Sequence, residues 1–173
     1  MSRFSYCLEK VLGHEGGLSN HAADKGGLTN FGVTQRTYDD FRILRSLPKQ
    51  QVNGIDSHEV ECIYGAYWKD AKCDRIPEPL DLLVFDCAIN SGAGRALKLL
   101  QRALGINADG LWGPVTVDSL YEEIAADRVT ELCHIYLNER EGWYHTIVGA
   151  DPHQQVFLNG WLARLVHLAD EIQ

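Results

Sequence analysis

The sequence predicts a mainly α fold in two helical lobes, with room for a small glycine-rich loop or hairpin near residues 16–33. Three observations carry this expectation. Apolar residues recur at helical spacing over most of the chain. Six glycines fall within the 22 residues 13–34, where no ordinary helix or strand can run. The composition, 45% hydrophobic and 23% charged, is that of a globular protein, and no apolar run approaches the roughly 20 residues of a membrane span. No Ser/Pro/Gly-rich spacer interrupts the chain, so residues 1–173 read as a single domain with lobes at 1–91 and 92–173.

Taken in order, Phe4, Leu8, Val11 and Leu12 share one face of a first helix that ends near Gly13. The stretch GHEGGLSNHAADKGGLTNFGVT follows, holding Glu15 and Asp24 nine residues apart, with Thr29 and Thr34 beyond them. Thr34 is placed to cap a short helix carrying Tyr38, Phe41 and Leu44, which Ser46-Leu47-Pro48 ends. Asp56 and Glu59 form a candidate capping box for the next helix, whose stripe is Val60, Ile63, Tyr64, Tyr67 and Trp68. Tyr64 and Trp68, four apart, serve either the core or an aromatic wall of a sugar cleft.

Ile76-Pro77-Glu78-Pro79 breaks the chain, and LDLLVFDCAIN then reads as a buried central helix, because its apolar residues point in nearly every direction. Asp86 and Asn90 share one face of it. They either tie neighbouring segments to the core or, for Asn90, reach a substrate. Ser91–Arg95 ends this helix and lacks the Gly-Lys-Ser/Thr of a phosphate loop. Ala96, Leu97, Leu99, Leu100 and Leu104 make another helix closed by Gly105. A turn-rich link leads to Pro114 at the first position of the next. Trp112 in that link is either an exposed sugar platform or a lid over the core. Two further helices are expected at about 127–146 and 154–171.

Charge and cysteines exclude several functions. A net charge of −8 argues against nucleic acid, which needs concentrated Lys and Arg. Five scattered cysteines with no CxxC pair point to free thiols from a reducing compartment. His14-Glu15 opens like HExxH, but Gly16, Gly17 and Leu18 follow, so no zinc pair forms and no metal site is expected. The N-terminus lacks a signal peptide's apolar core, so synthesis in the cytoplasm is expected.

HEGGLSNHAADKGGLTNFGVT resembles glycoside hydrolase family 108, the N-acetylmuramidase-type phage endolysins. The likeness continues through YWKDAKCDRIPEPLDLLVFDCAINSG, and LQRALGINADGLWGPVT resembles the repeat unit of peptidoglycan-binding modules. The resemblance implies a lysozyme-like fold, with 1–91 as catalytic lobe and 92–173 as a peptidoglycan-binding-like lobe. It also implies cleavage of the β-1,4 bond between N-acetylmuramic acid and N-acetylglucosamine, with the Glu of the EGG triplet, Glu15, as catalytic acid. After the carbonyl end of the first helix, Glu15 would have its pKa raised, as a proton donor needs. Asp24 is then the base or electrostatic partner and Thr29 helps place water, although the Asp24–Thr29 gap is shorter than the phage-lysozyme pattern. Tyr64, Trp68, Asn90 and Trp112 are the candidate substrate contacts. No cofactor is called for. A monomeric enzyme acting on bacterial peptidoglycan is expected, reaching the cell wall with the help of a separate protein. The alternatives are a lytic transglycosylase using the same Glu, and an inactive cell-wall-binding or secretion-accessory protein.

Overall fold

The computed structural model describes residues 1–14 and 29–172. The fold is mainly α and lysozyme-like, as the sequence predicts. Among the described residues are eight α-helices and one two-stranded sheet. The chain divides into two compact units, Met1–Ala66 and Tyr67–Gln173.

The first unit begins with α1 (Arg3–His14), which buries Cys7, Leu8 and Val11. Strands β1 (Thr29–Asn30) and β2 (Val33–Thr34) pair antiparallel, with Thr29 opposite Thr34 and Asn30 opposite Val33. Phe31 and Gly32 make the turn between them, both with positive φ. Thr34 caps α2 (Gln35–Leu44) as expected, its hydroxyl accepting from the Thr37 amide at 3.2 Å.

The stripe expected on α2 needs a correction. Tyr38 is buried, but Leu44 is 86% exposed and Arg42 takes an interior place instead. The reason is polar. The Arg42 guanidinium donates to Glu59 at 2.7 Å, to the Tyr38 hydroxyl at 2.8 Å and to the Pro48 carbonyl, so its charge is matched where it is buried. Tyr38 donates in turn to Glu59 at 2.6 Å. The capping box forms ahead of α3 (Ser57–Asp70): the Glu59 amide donates to Asp56 Oδ1 at 2.8 Å, and the Asp56 amide reaches Glu59 Oε2 at 3.3 Å. One carboxylate, Glu59, thus starts α3 and anchors α2.

The second unit is built on α4 (Leu80–Ser91), buried from Leu80 through Ala88 as the all-round apolar pattern requires. It packs against α5 (Ala93–Ala103) and α7 (Val129–Ala150), while α7 also packs on α6 (Pro114–Ala125) and α8 (Gln155–Ala169). Gly92, at φ +84°, turns the chain from α4 directly into α5. Pro114 takes the first turn of α6 as expected.

The link before α6 is organised by a buried side chain. Gln101 donates to Asp109 at 2.7 Å, to the Leu111 carbonyl at 3.0 Å and to Thr116 at 3.0 Å, and accepts from the Gly110 amide at 2.7 Å. A Cβ on Gly110 would meet the Gly94 carbonyl at 2.9 Å, and its φ is +81°. The Gln-…-Asp-Gly-…-Thr spacing of this segment is therefore a folding device: one amide satisfies a whole turn.

Candidate active site

Glu15 and Asp24, the candidate acid and base, lie outside the described residues. What is described is the frame on either side of them. The helix α1 runs through His14, and Thr29 opens β1 at the other end, half-buried.

The hairpin carrying Thr29 is held at Phe31 and at Asn30, and Gln35, which follows it at the start of α2, is tied as well. Tyr64, only 1% exposed, donates its hydroxyl to the Phe31 carbonyl at 2.7 Å. The Asn30 amide reaches the Val52 carbonyl at 3.4 Å, and Gln35 receives the Val52 amide at 2.7 Å. Gln35 also donates to Asp39 and to the Gln50 carbonyl. A turn residue with positive φ costs conformational energy, so Phe31, at φ 51°, needs such fixing. Tyr64 provides it from α3.

The other aromatic candidate, Trp68, is 4% exposed and packs edge-on against Phe85 with centroids 5.1 Å apart. Its indole N–H donates to Asp74 at 2.6 Å. Tyr64 and Trp68 are both buried, and the polar end of each is engaged in a hydrogen bond.

Asp86 and Asn90 divide. Asp86 is fully buried in α4 and pairs with Arg140 of α7 at 2.6 Å and Arg164 of α8 at 2.6 Å. Burial raises its carboxyl pKa, but the two guanidiniums outweigh that and hold it below the usual range. Arg140 is itself fully buried and donates to the Tyr144 hydroxyl at 2.8 Å. Asn90 was expected to be buried as well. It is exposed, because α4 is at its last turn there, and its amide donates to the Asp86 carbonyl on its own helix at 2.8 Å. Trp112 is half-buried, and its indole nitrogen is buried without a hydrogen-bond partner among the described residues.

All five cysteines are free thiols. Cys7, Cys73, Cys87 and Cys133 are buried, and burial pushes the Cys133 thiol up to about 12, with Asp81 adding to the effect. Among the described residues no helix is long and apolar enough to cross a membrane.

Sequence reasoning missed Arg42, Gln101, Arg140 and Arg164. Only Gln101 had a readable signal, since it lies in the repeat-like segment LQRALGINADGLWGPVT.

Comparison with known proteins places this frame. The sequence model of the glycosyl hydrolase 108 family matches residues 8–92, and that of a predicted peptidoglycan domain matches residues 95–166. The structure is similar to that of SagA from Brucella abortus, with a TM-score of 0.79 and 28% sequence identity, over 98% of this chain and 92% of that one. No curated protein sequence matches the chain.

Proposed function

The chain belongs to the glycosyl hydrolase 108 family, with a peptidoglycan domain behind it, and from that premise we propose that it cuts the β-1,4 bond between N-acetylmuramic acid and N-acetylglucosamine. The observation that carries this reading is that the family match spans residues 8–92, a range that includes the EGG triplet at Glu15.

Glycoside hydrolysis needs a protonated acid at the leaving oxygen and a carboxylate, acting directly or through water, at the anomeric carbon. Glu15 supplies the acid in this reading. It follows His14, the last described residue of α1, in the chain, and a carboxyl at the carbonyl end of a helix is favoured in its neutral form. Asp24 activates or stabilises, and Thr29 helps hold the attacking water from the start of β1. Tyr64 acts as a positioning residue, fixing the turn of the hairpin that bears Thr29. Asn90, exposed at the end of α4, is a substrate contact, its side-chain oxygen suited to accept from an acetamido N–H. Trp112, half-buried, is a second substrate contact in this reading. The setting is lysis by a phage or prophage, and the enzyme meets its substrate in the cell wall with a separate protein providing passage. The Glu15→Gln variant tests the reading: loss of at least about a hundredfold in lytic rate is expected, the lower end for general acid catalysis. A rate within a few-fold of the parent would contradict it.

A further inference from the structure

The outward face of α8 is not the charged surface that a solvent-facing helix carries. Its inner face is committed to the fold: Leu158, Leu165 and Leu168 are buried, and Arg164 reaches Asp86 at 2.6 Å. A surface helix ordinarily places charged residues opposite such a stripe. Between Gln155 and Ala169, however, there is no Asp, Glu or Lys, and Arg164 is the one arginine. Val156 is 77% exposed and Val166 62% exposed.

The exposed residues follow a periodicity of their own. A short 3-10 turn, Pro152–Gln154, leads into α8, and another, Asp170–Ile172, continues it. Along that length His153, Val156, Gly160, Ala163, His167 and Asp170 succeed one another at intervals of three and four, and all six are exposed. That alternation is the seam of two helices packed side by side. The row is also complementary to itself. Turned end for end, it brings Val156 to His167, Gly160 to Ala163 and His153 to Asp170. The small residues in the middle let two backbones approach closely, and a Cβ on Gly160 would meet no neighbouring part of the fold within 4 Å.

We propose that this row is the contact between two copies of the chain, their α8 helices antiparallel about a two-fold axis at the level of residues 161 and 162. A two-fold contact needs one patch that matches itself, and every pair in it occurs twice. Charge selects both the occupant and the direction. A parallel pair would set His153 against His153 and Asp170 against Asp170. The antiparallel pair sets an imidazole beside a carboxylate at each end and opposes the two helix dipoles. A bilayer surface would accept Val156 and Val166, but Asp170 and a net charge of −8 repel anionic headgroups. One helix pair about 25 Å long covers less than the roughly 800 Å² per partner of a standard interface, so the association is reversible. The monomer expected from the sequence is then the dilute form.

Analytical ultracentrifugation of the full chain over a concentration series tests it. The wild type is expected to move from the mass of one chain to that of two as concentration rises. Gly160→Glu puts a good helix former where glycine was, so it should keep or raise the melting temperature while raising the dissociation constant at least about tenfold. Tyr121→Glu, at an exposed site on α6, adds the same charge elsewhere and should associate like the parent. His153→Glu sets a carboxylate against Asp170 and should weaken association. Adding Asp170→Lys should restore it, since these two positions meet only across an antiparallel axis. A parent still monomeric at about 1 mM overturns the contact. So does a Gly160→Glu variant that associates as well as the parent, equal loss with Tyr121→Glu, or no restoration by Asp170→Lys. A monomeric parent that floats with phosphatidylglycerol vesicles overturns it in favour of a lipid surface. No substrate is present, so each of these results leaves the peptidoglycan reading standing.

Discussion

At the scale of single residues, the sharpest result concerns Tyr64. A tyrosine on an apolar helical stripe reads as core, and it is buried, but its hydroxyl also donates to the carbonyl of Phe31 in the turn. Tyr64→Phe keeps the ring and removes that bond. It should cost about 1 kcal/mol in stability, as for a typical buried hydrogen bond. If the turn positions Thr29, the variant should also lower kcat more than it raises KM. A fall in melting temperature with unchanged kcat would limit Tyr64 to packing. The thiols give a second residue-level test. Four are buried, and the Cys133 thiol, raised to about 12, stays protonated at neutral pH. Under native conditions only Cys62 should react readily with a thiol reagent, with all five reacting after denaturation. Melting should be indifferent to dithiothreitol. Fewer than five reactive thiols in denatured, unreduced protein would reveal a disulfide.

At the scale of elements, α7 and α8 are tied to α4 by charge as well as by apolar packing. Asp86 joins all three helices through Arg140 and Arg164. Removing one partner of a buried ion cluster leaves unmatched charge, so Asp86→Ala should destabilise by about 3–5 kcal/mol, read from chemical denaturation. A change below the noise would mean that water reaches the guanidiniums and screens them. Because the carboxyl pKa is held below its ordinary value in the folded state, the stabilisation is complete at neutral pH. It is lost only as pH falls through that depressed value, so wild type should lose more stability than Asp86→Ala over the same acid range. The elements themselves were largely legible because their signals are local. The Thr34 cap, the Asp56–Glu59 box, Pro114 and the apolar surround of α4 each declare themselves within a few residues. The Arg140–Asp86 pair does not, since nothing near Arg140 in sequence says which carboxylate neutralises it. Arg42 misled for the same reason. Periodicity ranked Leu44 as interior, while the distant Glu59 made burial of the arginine affordable.

At the scale of the whole molecule, the candidate chemistry rests on Glu15 and Asp24, whose roles come from family resemblance and from the match over residues 8–92. The described residues on either side of their segment are helix α1, through His14, and the hairpin from Thr29. Periodicity could find the helices around the site, but two carboxylates among glycines carry no periodic signal, and only their spacing marks them. The central claim is acid-catalysed hydrolysis at Glu15 with water as the acceptor. Mass spectrometry of purified peptidoglycan digests tests it most directly. The wild-type enzyme should release fragments ending in reducing N-acetylmuramic acid, Asp24→Asn should release them more slowly, and Glu15→Gln should release at least about a hundredfold fewer. Fragments lighter by one water, ending in anhydro-muramic acid, would contradict hydrolysis, and undiminished release by Glu15→Gln would contradict the assignment of the acid.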